Sequence, residues 1–280
     1  MEIKKNVLIT GCSSGFGKLT AELLAKDPSV KIYASMRDLS KNKLSPQIEV
    51  LMIDVTKPET IDAAVSKLNR IDILINNAGA ALGGFFEDLT YQEIFSQFKV
   101  NFFGVQNMIR AVLPLMHNQG SGRIINISSI AGRVSYPALG AYNASKWALE
   151  GFSESLYLEL KPFNIDVCLV EPGSFQTKIF EENAQFSSNC NKDSKYYDYT
   201  KFMIETRIKK LNKIRPKPIR VAKVLAQIIH KKNIKFRILI GSDAKITYLL
   251  KCILPHNIFA SIINFFALKD SILFKNNVSN

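Results

Sequence analysis

Short apolar runs of strand length alternate along this chain with stretches whose apolar residues recur at helical spacing. The first run, 6–10, leads into a glycine-rich turn at 11–17 and then a helical pattern carrying Leu19, Leu23 and Leu24. Runs at 30–34, 50–53, 71–75, 123–127, 165–170 and 236–240 continue the series. Most are apolar at successive positions, which suits strands covered on both faces, and strands separated by helices make parallel βαβ units. The pattern predicts an α/β fold: one doubly wound parallel sheet with helices on both faces. No repeat or low-complexity linker divides residues 1–280, so a single domain is expected.

The rhythm breaks twice. Residues 174–218 are polar and aromatic and close with Arg215-Pro216-Lys217-Pro218, as expected of an excursion off the sheet where a lid or binding loop sits. The tail near 244–274 carries two apolar stripes, Ile246/Leu249/Leu250/Ile253 and Ile258/Ile262/Phe265/Phe266, separated by Pro255. Lys251, Pro255 and His256 interrupt it, so it offers no apolar span of about 18 residues for crossing a membrane. The stripes are expected to pack onto the domain or line a substrate mouth. Peripheral contact with a membrane surface is the alternative.

Charge sharpens that alternative. Residues 1–200 carry 20 Lys/Arg against 21 Asp/Glu, whereas residues 201–280 carry 17 against 3, so the net charge of +13 resides in the last 80 residues. Such asymmetry fits an anionic neighbour, a phospholipid surface or a phosphate-bearing substrate, and equally a solvated basic face. No nucleic-acid recognition motif accompanies it. The four cysteines and three histidines are scattered without metal or redox spacing, so no metal centre is expected and the thiols read as those of a reducing compartment. The start, Met1-Glu2-Ile3-Lys4-Lys5, lacks a signal-peptide core, and a cytoplasmic protein is expected.

Candidate chemistry lies at Ser128-Ser129 and at Tyr142-Asn143-Ala144-Ser145-Lys146. Residues 142 and 146 share one helix face, which sets an ammonium beside a phenol. A nearby cation favours phenolate, and Tyr142 could then exchange a proton with a carbonyl or alcohol oxygen that the Ser129 hydroxyl holds. The turn Gly11-Cys12-Ser13-Ser14-Gly15-Phe16-Gly17 falls between strand and helix, where a pyrophosphate can rest on a helix N-terminus.

Taken together, these residues resemble the short-chain dehydrogenase/reductase family. Its T-G-x-x-x-G-x-G is matched from Thr10 to Gly17, its N-N-A-G by Asn76-Asn77-Ala78-Gly79, its Y-x-x-x-K by Tyr142 and Lys146, and its Pro-Gly by Pro172-Gly173. The family's serine, thirteen residues before the tyrosine, falls on Ser129, and its helix asparagine on Asn101. The resemblance implies a Rossmann-type fold and hydride transfer between a nicotinamide and a carbonyl or alcohol carbon. It further implies that Tyr142 is the general acid or base and that Lys146 lowers its pKa and binds the nicotinamide ribose. Ser129 would orient the substrate oxygen, and Asn101 would hold a water that connects Lys146 to solvent. Asp54, followed by Val55, matches a contact to adenine, Thr177 a contact near the nicotinamide amide, and Asn76 a brace of the central sheet. A homodimer or homotetramer, paired through helices near 91–118 and 141–161, is also implied.

Cofactor choice is argued from charge. Enzymes that use NAD place an acid after the second strand for the ribose 2′-hydroxyl, whereas a 2′-phosphate needs a cation. Here the segment reads Ala34-Ser35-Met36-Arg37-Asp38, with Ser35 where the acid would stand. Arg37, with Ser14 as a further contact, favours NADP(H); pairing of Arg37 with Asp38 is the competing reading. Within the family the segment from Tyr33 to Asp38 is similar to the branch of 17-beta-hydroxysteroid and retinol dehydrogenases. Phe85-Phe86, Tyr196-Tyr197-Asp198-Tyr199 and the tail stripes suit an elongated apolar substrate, with steroid, retinoid, fatty-aldehyde and polyketide-like carbonyls left open. A dinucleotide-binding regulator or scaffold without turnover is the rival of a different class, and a protein driven to membranes by its basic tail is another.

Overall fold

The computed structural model describes residues 4–177, 179, 184–202 and 215–268. Seven parallel strands form the central sheet: β1 (Lys5–Ile9), β2 (Val30–Met36), β3 (Glu49–Met52), β4 (Ile73–Asn76), β6 (Gly122–Ile127), β7 (Ile165–Pro172) and β9 (Arg237–Ile240), in the order β3-β2-β1-β4-β6-β7-β9. Each of the seven expected runs is one of these strands. β1 pairs with β2 through Leu8↔Tyr33 and with β4 through Leu8↔Leu74. The order reverses beside β1, and crevices open at such switch points beyond the carboxyl ends of strands.

Alternate side chains of the strands point to opposite faces, and both faces are dry. On one, Leu8, Leu74, Ile124, Val167 and Leu169 pack against Ile61 of α2 (Pro58–Val65), Met108 and Val112 of α4 (Gly104–Gln119), and Leu149 and Leu156 of α5 (Gly140–Leu160). On the other, Val7, Ile9, Ile75, Ile125 and Val170 pack against Ala21 and Leu24 of α1 (Gly15–Leu24) and Val221 and Leu225 of α7 (Ile219–Ile228). The strands therefore read as nearly continuous apolar runs.

The excursion is more ordered than its polar sequence suggests. β8 (Ala184–Phe186) pairs in parallel with β5 (Ala81–Gly83) as a separate two-stranded sheet, an element the alternation does not reveal. Ser194 Oγ donates to Asp88 Oδ1 at 2.6 Å and the Ser188 amide to Glu93 Oε1 at 2.8 Å, tying the segment to α3 (Tyr91–Phe98) and the turn before it. α6 (Tyr197–Phe202) follows. Residues 178, 180–183 and 203–214 of the expected excursion lie outside the described residues, as do 269–274 of the expected tail.

The tail forms α8 (Ser242–Ile253) and α9 (His256–Leu268), broken at Pro255 as expected. Leu250 of the expected stripes packs inward, but most of the packed face is made of other residues. Ala244, Tyr248, Phe259 and Ile263 meet Ile130 and Val134, while Ile246, Leu249, Ile253, Ile258, Phe265 and Phe266 are exposed. The helices carry apolar residues on more than one side, so periodicity alone cannot select the inward face. Among the described residues no helix is long and apolar enough to cross a membrane.

Candidate active site

α5 brings the central residues together. Tyr142 and Lys146 lie one turn apart on its buried side, and Ser129 caps a short turn directly after β6, its Oγ accepting from the Ala131 amide at 3.1 Å. Ser129 also bonds to the Tyr142 side chain, and this pulls the phenol's pKa down; burial is the stronger influence and pushes it up to about 12. The Lys146 ammonium faces the Tyr142 ring. Its Nζ donates to the Ile127 carbonyl at 2.9 Å and sits 6.0 Å from the ring centroid of Tyr142. Burial pushes Lys146 down to about 8, opposed by the Glu150 carboxylate. At Tyr142 desolvation thus outweighs the Ser129 bond.

Asn101 occupies a π-helical turn, Lys99–Phe103, between α3 and α4. Its Oδ1 accepts from the Ala80 amide at 2.9 Å, and its Nδ2 donates to the Ala80 carbonyl at 3.0 Å and to Ser145 Oγ at 3.1 Å. The asparagine thereby joins α5 to the segment after β4. Asn76 Nδ2 donates to Asn126 Oδ1 and Asn126 Nδ2 to Ser153 Oγ, both at 2.9 Å, which braces β4, β6 and α5 together.

The glycine turn fits a dinucleotide. Gly11 has φ +71°, and a Cβ there would lie 2.8 Å from Ala78 Cα; at Gly17 a Cβ would collide with the Asn77 side-chain amide and lie 2.6 Å from the Gly11 carbonyl oxygen. The loop therefore nests against Asn77 and Ala78 only without side chains at those two positions. Gly15, where α1 begins, instead faces open space, and the hydroxyl of its N-cap Ser14 makes no capping bond. Amides at that helix end thus remain accessible to an anion, with Ser13, Ser14 and Phe16 around them. Asn77 Nδ2 donates to the Thr10 and Gly11 carbonyls at 2.8 and 3.1 Å, and the Asn77 and Ala78 amides donate to Thr10 Oγ1 at 3.0 and 2.9 Å. Gly79 stands beside Asn101 Oδ1, 3.4 Å from where its Cβ would be.

At the far end of the crevice, Arg37 is exposed immediately after β2, and among the described residues it forms no ion pair with Asp38. Asp38 is instead paired with Lys41 at 3.8 Å and accepts from Ser40. Ser35 is buried, so the position read as that of the acid faces the protein interior, and the side chain at the strand's exit is Arg37. Asp54 is partly desolvated, which raises its pKa, but hydrogen bonds from the Thr56 amide and hydroxyl and the charges of Arg37 and Lys57 leave it below the usual carboxylate range. The Val55 carbonyl accepts from Asn107 Nδ2 at 3.1 Å, fixing that loop on α4. Pro172 ends β7; the Gly173 amide donates to the Ile240 carbonyl at 2.8 Å, and the Asp243 carboxylate fills the space a Cβ of Gly173 would need. Thr177 is half-buried in the loop that follows.

Around Tyr142 an apolar collar is formed by Ala81, Ala131, Tyr136, Leu139 and Ile179. Farther out, Phe85 stacks on Tyr196 with centroids 4.4 Å apart and lies 5.7 Å from Tyr199, joining the aromatic pair after β5 to the excursion; Phe86 is exposed. Sequence reasoning overlooked Ser145 and Glu150. Each has a signal in the helical spacing of α5: Ser145 is four residues before Leu149 on the buried face, and Glu150 is four after Lys146.

The comparisons with known proteins agree with this geometry. A sequence profile described as short chain dehydrogenase matches residues 5–187. A 3-ketodihydrosphingosine reductase of Bacteroides thetaiotaomicron is 38% identical over 266 residues, covering 93% of this chain and 97% of that protein. Human retinol dehydrogenase 8 is 40% identical over 187 residues, 62% of this chain and 60% of its own. Among solved structures, a short-chain dehydrogenase from Streptomyces avermitilis superposes with a TM-score of 0.78 at 29% identity, covering 96% and 98% of the two chains. ElxO with NADP bound superposes with a TM-score of 0.70 at 25% identity, covering 88% and 99%.

Proposed function

The chain belongs to the short-chain dehydrogenase/reductase family and is an oxidoreductase with a nicotinamide cofactor; from that premise we propose that it uses NADP(H) to interconvert an apolar carbonyl and its alcohol. The carrying observation is the buried Ser129–Tyr142 hydrogen bond inside an apolar collar, with Lys146 on the same helix face. A mere dinucleotide binder has no need of a buried proton donor.

The nicotinamide supplies or accepts the hydride at the substrate carbon. The residues that would hold it are the turn from Gly11 to Gly17, Arg37, Asp54 and Val55, Asn77 to Gly79, Tyr142, Lys146, Pro172, Gly173 and Thr177. In reduction Tyr142 donates its proton to the substrate oxygen as charge develops there; in oxidation it takes one back. Ser129 positions that oxygen, and its bond to Tyr142 is what opposes the desolvation of the phenolate. Lys146 brings positive charge to the same pocket and takes part in replacing the tyrosine proton, with Asn101 holding the intervening segment in place.

A long apolar substrate, steroid-, retinoid- or fatty-aldehyde-like, is supported by the collar, by the Phe85–Tyr196 stack, and by a relative whose name gives it 3-ketodihydrosphingosine as substrate. Arg37, exposed at the end of β2, supports NADP(H). Exposed Tyr91, Phe95 and Phe103 at the helix pair and Leu158 on α5 support a homodimer or homotetramer built on those helices. A cytoplasmic protein whose tail touches anionic membranes fits the exposed Ile246, Leu249 and Ile253 of α8 beside the basic last 80 residues. The single-domain reading of residues 1–280 is kept. Replacing Tyr142 by Phe is expected to reduce turnover by at least a hundredfold, the lower end of general acid-base contributions, while NADPH affinity stays nearly unchanged. An active Phe variant would remove the assignment.

A further inference from the structure

Beneath the catalytic helix lies a polar cluster that the reaction as described does not use. Glu150, one turn beyond Lys146 on the buried side of α5, and Glu171 of β7 are 5% and 0% exposed. One carboxylate oxygen of each, Glu150 Oε1 and Glu171 Oε2, is buried with no hydrogen-bond donor. Two carboxylates cannot satisfy each other, but a carboxylic acid and a carboxylate can, through one shared proton. Arg237 Nε lies within 3.4 Å of an oxygen of each carboxyl, which sets the two side by side, and burial first, then the neighbouring Glu150, push Glu171 up to about 7.

Two arginines flank the pair. Arg237 of β9 places Nε 3.1 Å from Glu150 Oε2 and 3.4 Å from Glu171 Oε1, with its other nitrogen 2.8 Å from Glu154 of α5. From the loop after Ser129, Arg133 reaches Glu171 Oε1 at 3.4 Å and also bonds to Tyr248 of α8, while Lys251 caps the Arg133 carbonyl. Cys168, on the same strand as Glu171, is a buried thiol that burial pushes up to about 12. On the same buried side of α5, one turn before Glu150, lies Lys146, whose ammonium donates to the Ile127 carbonyl at 2.9 Å.

We propose that Glu150 is a positioning residue that keeps Lys146 protonated, its carboxylate held in place by Arg237 and, at neutral pH and below, by a proton shared with Glu171. The inference rests on the role given to Lys146 above. Removing the charge of Glu150 lowers the pKa of Lys146 further, so the ammonium is lost at lower pH; an uncharged donor at 171 still satisfies Glu150 and moves Lys146 less, because Arg133 and Arg237 both offset the Glu171 charge present where Lys146 titrates. Helix neighbours one turn apart lie about 6 Å from each other, and a charge at that range with an effective permittivity near 20 sets the scale at one to two pH units.

The test reads Lys146 directly. Competitive acetylation followed by mass spectrometry gives the pH at which Lys146 becomes reactive in the full chain, without cofactor or turnover. Glu150→Gln is expected to lower that pH by at least one unit, Glu150→Asp to restore most of the shift, and Glu171→Gln to move it by well under a unit. In parallel, a protonated carboxyl band in the infrared spectrum at pH 7 is expected in wild type and lost in Glu171→Gln. An unchanged labelling pH in Glu150→Gln, or absence of the band in wild type, overturns the proposal. Should Glu150→Gln not fold, a labelling pH that moves by a unit in Glu171→Gln overturns it instead. The alkaline limb of kcat/KM is expected to move with the labelling pH. If labelling shifts and the limb does not, Lys146 is tuned by Glu150 but is not the group limiting turnover, and the failure lies in the role assigned to Lys146.

Discussion

Thr10 is 1% exposed, and its hydroxyl accepts from the Asn77 and Ala78 amides at 3.0 and 2.9 Å. Thr10→Val keeps the shape and deletes the acceptor. The two amides are not equally affected, because the Asn77 amide also reaches the Ile75 carbonyl at 3.1 Å. Ala78 is left with an orphaned donor, costing about 1.5–2.5 kcal/mol, and Asn77 loses one of two acceptors, costing about 0.5 kcal/mol. The expected destabilisation is about 2–3 kcal/mol. Thr10→Ser keeps the acceptor and gives up one methyl group, about 1 kcal/mol. With a urea dependence of about 3 kcal/mol per molar for a chain of this size, the valine midpoint should fall by about 0.7–1 M and the serine midpoint by about 0.3 M. The same clamp sets Asn77 across the Gly11 carbonyl, so NADPH affinity should weaken in the valine variant and stay near wild type in the serine variant. Valine no more destabilising than serine would refute the reasoning, since the acceptor would then carry no weight.

Arg37→Ala should weaken NADPH binding by tenfold or more while NADH binding changes little, as calorimetry would read; equal losses for both would remove the phosphate contact. Glu171 binds its proton more tightly when folded than its ordinary value near 4.5, being pushed up to about 7 by burial and by Glu150. Its contribution is therefore fully present below about 4.5 and is lost as pH rises to about 7, with a limiting slope of about 1.4 kcal/mol per pH unit. Glu171→Gln should flatten that part of the stability profile in urea titrations at fixed pH values. Vesicles rich in phosphatidylserine should sediment the protein at low salt and release it as salt rises, and replacing Ile246, Leu249 and Ile253 by Ser should abolish sedimentation; no binding at low salt removes the membrane contact.

Much of the fold was legible because burial on both faces of a parallel sheet writes itself as uninterrupted apolar runs, and all seven runs became strands. The catalytic helix was legible because Tyr142 and Lys146 must share a face at a spacing of four. Glycine positions were legible for steric reasons: Gly11 carries φ +71° and Gly17 abuts Asn77, and neither tolerates a Cβ. What tertiary structure alone decided follows from contacts between residues far apart in sequence. Periodicity could not tell which side of α8 and α9 would turn inward, because that depended on Ile130 and Val134 more than a hundred residues earlier. It could not pair residues 81–83 with 184–186, since three-residue strands carry no pattern of their own. Nor could it foresee that Lys146 would bond to a carbonyl of β6, or that Glu150 would meet Glu171. Proton affinities are set by the permittivity and partners of the folded interior, and those exist only once the chain has closed on itself.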